Sequence, residues 1–139
     1  MNHLGAREKG AEVGHPTRLQ VAPVWPVATL AGTQLIDAAL CAVPVGFVTQ
    51  CLDDVRFPRR YHWTIAPIKA SGAAGLLAGL IVPGLGALTS GALVTYFSVA
   101  VAMHLRVGDI GRNMYSACGL LAGSAAVGGR FLTYRDKRR

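Results

Sequence analysis

The chain predicts an all-α integral membrane protein, a four-helix bundle of antiparallel up-down topology with both termini cytoplasmic. Four apolar stretches, 27–51, 64–85, 86–103 and 113–129, are each about the length a helix needs to cross roughly 30 Å of hydrocarbon. Only Asp37 and Lys69 carry charge within them. Charged residues make up 15% of 139, against about a quarter in soluble domains, while apolar residues reach 52% despite 17 glycines. Hydrocarbon offers a peptide group no hydrogen bond, so segments this long without period-two alternation pair internally as helices rather than as barrel strands.

Taken in order, residues 1–22 mix Gly, Ala, His, Pro and charges without an apolar period and predict a mobile cytoplasmic tail. The membrane domain spans 23–131, and 132–139 is a basic cytoplasmic tail facing anionic headgroups. The first apolar stretch is too long for a cleavable signal core and predicts an anchor that stays in the mature protein. Pro44 within it and Pro67 within the second stretch predict kinks or local unwinding, each freeing a carbonyl. In the second stretch Ser71, Gly75 and Gly79 recur every four residues, as do Ala87, Gly91 and Thr95 in the third and Gly119 and Gly123 in the fourth. Small side chains on one helical face let backbones approach closely, which predicts packing faces. Pro83-Gly84 with Gly86 predicts a tight cytoplasmic turn between the second and third spans. Trp25, Tyr61, Trp63, Tyr115, Phe131 and Tyr134 stand at span ends, where headgroup-depth aromatics belong.

The net charge of +7 does not point to nucleic acid, because the basic residues cluster at span ends and are not interleaved with aromatics along a groove. Arg7, Lys9, Arg18, Arg130, Arg135, Lys137, Arg138 and Arg139 lie on the side of the termini, eight in all; Arg56, Arg59, Arg60, Arg106 and Arg112 lie on the other, five in all. The excess puts both termini in the cytoplasm. Cys41, Cys51 and Cys118 are an odd number at unrelated spacings, which argues against a disulfide framework or zinc site. Cys51, near the outer boundary, is the candidate for a reactive thiol.

Lys69 is the residue on which function turns, because an unpaired ammonium about two turns inside the membrane costs at least a few kcal/mol. Asp37 is its simplest partner and Asp109 the rival. Counted along a helix from Cys51, Asp37 lies about 20 Å deep and Lys69 only about 10 Å from the same face, a mismatch that a kink at Pro44 would narrow. His62, His104, Arg106 and Asp109 fall at the same outer side and could line a shallow polar pocket that suits a quinone headgroup or another small ligand. The bland alternative is that they mark the water boundary. A transmembrane haem is disfavoured because no histidine lies centrally in a span. No phosphate-binding loop, zinc helix, nucleophile elbow or catalytic triad spacing is found, and no metal is predicted.

Residues 67–80, running Pro-Ile-Lys-Ala-Ser-Gly-Ala-Ala-Gly-Leu-Leu-Ala-Gly-Leu, the turn Pro83-Gly-Leu-Gly, and residues 91–97 leading to His104-Leu-Arg-Val-Gly-Asp109 together resemble the DoxX-like family of small four-helix membrane proteins. The resemblance covers about half of the chain; the amino-terminal tail and Phe57-Pro-Arg-Arg60 are less distinctive. It implies the fold and an association with a quinone-linked redox complex, and fold transfers better than chemistry. The resulting reading is a noncatalytic accessory or partner subunit of a larger membrane assembly in the plasma membrane, of bacterial inner-membrane type. Its partners are the lipid bilayer and other membrane subunits or a second copy, and no nucleic acid. The alternatives are a small proton-coupled transporter working through Asp37 and a quinone-reactive enzyme. No cofactor is predicted beyond a candidate quinone.

Overall fold

The structure, a computed structural model, describes residues 24–43 and 45–136, without the side chain of Arg135. The expectations for the tail 1–22, for Pro44 itself and for Lys137, Arg138 and Arg139 fall outside the described residues. Five α-helices occur among those described, with no strand: α1 (Val24–Ala42), α2 (Gly46–Asp54), α3 (His62–Gly79), α4 (Pro83–Val107) and α5 (Arg112–Asp136). A 3-10 turn, Arg59–Tyr61, leads into α3. α1 and α4 are long and apolar enough to cross a membrane.

Three boundaries differ from the expectation. The first apolar stretch is not one helix, since α1 ends at Ala42 and α2 begins at Gly46 after an extended Val45. A proline at 44 has no amide to give and disfavours helical backbone at Val43, so two helices replace a kinked one. Pro83-Gly84-Leu85-Gly86 is the first turn of α4 and not a loop; the chain reverses over Leu80, Ile81 and Val82. Proline is tolerated there because the first helical amides lack partners anyway. α5 continues to Asp136, well into the stretch read as a basic tail. Pro67 does not interrupt α3, which runs from His62 to Gly79, and the Ser71 hydroxyl donates to the Pro67 carbonyl at 2.7 Å.

α1 packs on α3, α3 on α4 and α4 on α5, and α1 also reaches α5; α2 touches the others only slightly. Along α3 and α4 the opposed positions are Gly72 with Leu93, Gly75 with Thr89 and Gly79 with Gly86, so the two helices are antiparallel. The approach depends on missing side chains: a Cβ on Gly72 would lie 2.9 Å from Leu93 Cδ2, and one on Gly75 would lie 2.8 Å from Thr89 Cγ2. α4 and α5 are antiparallel too, with Ser90 against Gly128 and Gly86 against Phe131. Ser71, Gly91 and Gly119 lie exposed and make no such close approach, and Gly123 meets Leu30 at ordinary contact distance. On α3 the packing face runs through Gly72 in place of Ser71, because a 3.6-residue turn makes both neighbours of Gly75.

The core joins Val27, Leu30 and Ala31 of α1, Ala73 and Leu76 of α3, Leu93 and Phe97 of α4, and Val127 and Phe131 of α5. Phe131 was expected at headgroup depth and is 1% exposed. Its ring fills the hollow left by Gly79 and Gly86, where a Cβ on Gly86 would stand 2.6–2.7 Å from ring atoms. Trp25, Trp63 and Tyr115 are exposed by contrast, at 83%, 74% and 65%.

Candidate functional site

At the end of the helices opposite Phe131, a cavity of about 260 Å³ opens between α1, α2, α3, α4 and α5. α2 supplies an apolar wall through Phe47, Val48 and Leu52, with Cys51 beside them. Val55 and Phe57 of the following loop, Ile65 of α3, and Phe97, Val99 and Met103 of α4 extend that wall. The polar groups come from Asp37 and Cys41 on α1, Lys69 on α3, Tyr96 and His104 on α4, and Asn113 and Ser116 on α5. The volume falls just under the roughly 300 Å³ at which drug-sized pockets begin, so it suits a headgroup or a single ring system.

Lys69 Nζ donates to Asp37 Oδ2, the closest ion pair of the site. Both are largely enclosed, with side chains 11% and 29% exposed. The expected depth mismatch vanishes because α1 ends at Ala42: Asp37 is five residues from that end, about 8 Å, and Lys69 is seven from the start of α3, about 10 Å. Cys41, one turn on from Asp37, places its sulfur 4.0 Å from Oδ1 of the same carboxylate. Two opposite charges thus cancel at one end of the cavity, leaving it polar but neutral.

Asp109 does not reach Lys69. Its carboxylate lies 2.7 Å from His104 Nδ1, and the His104 ring is buried against the cavity. Gly108 makes this pairing possible. At φ 72° it takes the left-handed conformation that ends α4, and the Asp109 amide then donates back to the His104 carbonyl at 3.0 Å.

Of the four residues expected to gather in one polar pocket, His104 alone lines the cavity. Arg106, two residues along α4 from His104, is exposed on another face. His62 turns to the loop, where Nε2 sits 3.2 Å from the Phe57 carbonyl and the ring stacks on Phe57 at 5.9 Å. It acts on the cavity indirectly, by holding Phe57 in the wall. Outside the spans, Arg59 grips Asp53 at the end of α2 with bonds of 3.0 and 2.6 Å. That bond holds the Asp53 carboxyl below the usual carboxylate range and pushes the Arg59 guanidinium up.

Sequence reasoning missed Tyr96, the α2 wall and two buried polar residues. Gln34 and Ser90 are fully enclosed, and their side-chain polar atoms have no hydrogen-bond partner among the described residues. All are uncharged, so a search for charge within apolar runs passes over them. Gln34 was nonetheless signalled by its place three residues before Asp37, on the same helical face. Cys41, Cys51 and Cys118 are free thiols, and no cluster of three or more metal-ligating His, Cys, Asp or Glu side chains occurs among the described residues.

No curated protein and no solved structure matches the chain. The family described as DoxX-like matches residues 24–127, three quarters of the sequence, from the start of α1 to the buried Val127 of α5. With two helices apolar enough to cross a bilayer, this chain belongs to the DoxX-like family and is a membrane protein of it.

Proposed function

We propose that the protein is a noncatalytic partner subunit of a larger membrane assembly and holds a small, uncharged ring ligand of quinone type in its cavity. The cavity carries this reading. Its walls are apolar, its ammonium is paired, Lys69 with Asp37, and the Asp109 carboxylate is held by the His104 ring. An ionic ligand would have to break the Lys69–Asp37 pair, which is already satisfied, whereas a neutral ring with oxygen substituents needs only hydrogen bonds with Tyr96, Lys69 or His104. We further propose that α1, α3, α4 and α5 form an antiparallel four-helix bundle in the plasma membrane of a bacterium, with both termini cytoplasmic. The packing of these helices and the excess of Lys and Arg on the terminal side support it.

Purification in mild detergent tests both halves. Lipid extracts of the purified protein should contain a quinone in stoichiometric amount, lost in a Lys69→Met, Tyr96→Phe double variant, and other membrane subunits should copurify. Absence of both would overturn the reading. A proton-coupled transporter working through Asp37 has less support, because Lys69 occupies the carboxylate such a mechanism must leave free.

A further inference from the structure

We infer that Asp109 is a positioning residue that turns His104 into a hydrogen-bond acceptor toward the cavity, so that the ligand presents a hydroxyl at that end. The inference rests on the reading of the cavity as a ligand site. A carboxylate can only accept, so the 2.7 Å contact between Asp109 Oδ2 and His104 Nδ1 requires the proton to sit on Nδ1. In a neutral imidazole the other nitrogen, Nε2, is then a bare acceptor. His104 lines the cavity, and its ring's only hydrogen bond among the described residues is the one through Nδ1, so Nε2 is the nitrogen left for a ligand. The arrangement is built into the backbone, since the left-handed Gly108 and the bond from the Asp109 amide to the His104 carbonyl fix the carboxylate under the ring.

The opposite polar end has another character. Lys69 can only donate, and it stands with Tyr96 on the cavity wall. Tyr96 and His104 are eight residues apart on α4, about 12 Å of helix rise. Two oxygens placed para on a six-membered ring, about 5 Å apart, with a hydrogen bond of about 2.8 Å at each, span about 11 Å. That is the same scale as the helix rise between the two residues. At the Lys69 end an oxygen accepts, which a carbonyl or a hydroxyl can do. At the His104 end an oxygen must donate, which only a hydroxyl can do. The cavity therefore prefers a hydroxylated, reduced ring over the corresponding dione.

The test compares 1,4-dihydroxynaphthalene, kept reduced under argon, with 1,4-naphthoquinone, each titrated into the full chain in lipid nanodiscs at pH 8. The wild type should bind the dihydroxy probe on the order of tenfold more tightly, the usual worth of one matched hydrogen bond in an enclosed site. Asp109→Ala should erase the preference, Asp109→Asn should keep part of it through its amide oxygen, and His104→Phe should erase it while both probes still bind. Nitrogen-15 NMR of His104 should show the proton on Nδ1 in the wild type and on Nε2 in Asp109→Ala, a shift that a merely structural role would not produce. Equal binding of the two probes by the wild type, or a proton on Nε2, overturns the inference and leaves the ligand site standing. Binding of neither probe overturns the ligand site itself.

Discussion

Lys69 sets the terms at the scale of single residues, because its ammonium is enclosed among apolar helix faces. Asp37 offsets the burial of that charge, so Asp37→Asn should lower stability by about 2 kcal/mol, less than the roughly 3–5 kcal/mol of a fully buried pair because Asp37 is 29% exposed. Thermal unfolding in detergent measures it, and Asp37→Leu combined with Lys69→Met should recover most of the loss. Arg56 gives a change of opposite sign. It sits at φ 56° after α2, where the Phe57 amide closes back on the Leu52 carbonyl, a conformation that suits glycine. Arg56→Gly should stabilise the protein by about 1 kcal/mol in the same assay. Asp37 and Lys69 were legible in the sequence because no other charge interrupts the apolar stretches. Their depths were not, because the count assumed a helix through Pro44. His62 and Arg106 show the same limit: a position near a span end fixes depth but not the direction in which the side chain points.

Among elements, the antiparallel pair of α3 and α4 rests on absent side chains. Gly86→Ala should cost about 1–3 kcal/mol by forcing the Phe131 ring aside, whereas Gly84→Ala, with open space around it, should cost almost nothing. Comparing the two by thermal unfolding separates packing from helix propensity. The four-residue rhythm of small residues was legible, but the face it marks was not, since Ser71 and Gly72 are equally spaced for contact and only the partner helix chooses between them. α2 carries at its end a different contact, the exposed Asp53–Arg59 bridge. Because the folded Asp53 pKa is depressed, the bridge contributes above the ordinary carboxylate range near about 4 and is lost as pH falls through the lowered value. Hydrogen-exchange protection in α2, taken relative to the intrinsic rate at each pH, should therefore hold at pH 5 and decline on strong acidification. Arg59→Gln should remove this pH dependence.

For the molecule as a whole, the apolar runs announced the long helices, and the boundaries moved where a proline or a buried aromatic had a second use. Pro44 split a run, Pro83 opened a helix and Phe131 carried α5 beyond the apolar stretch. Reporter tags at the two ends of the chain should read out from the same compartment, the cytoplasm, and opposite compartments would reject the proposed topology. Phe131 also bears on how the molecule is made. α3 and α4 both precede α5 in the chain, so during synthesis the groove between Gly79 and Gly86 stands vacant until the helix that carries the Phe131 ring follows them. Until that ring arrives the hairpin has a hole at its bend, so the seam between α3 and α4 is filled only once α5 is in place.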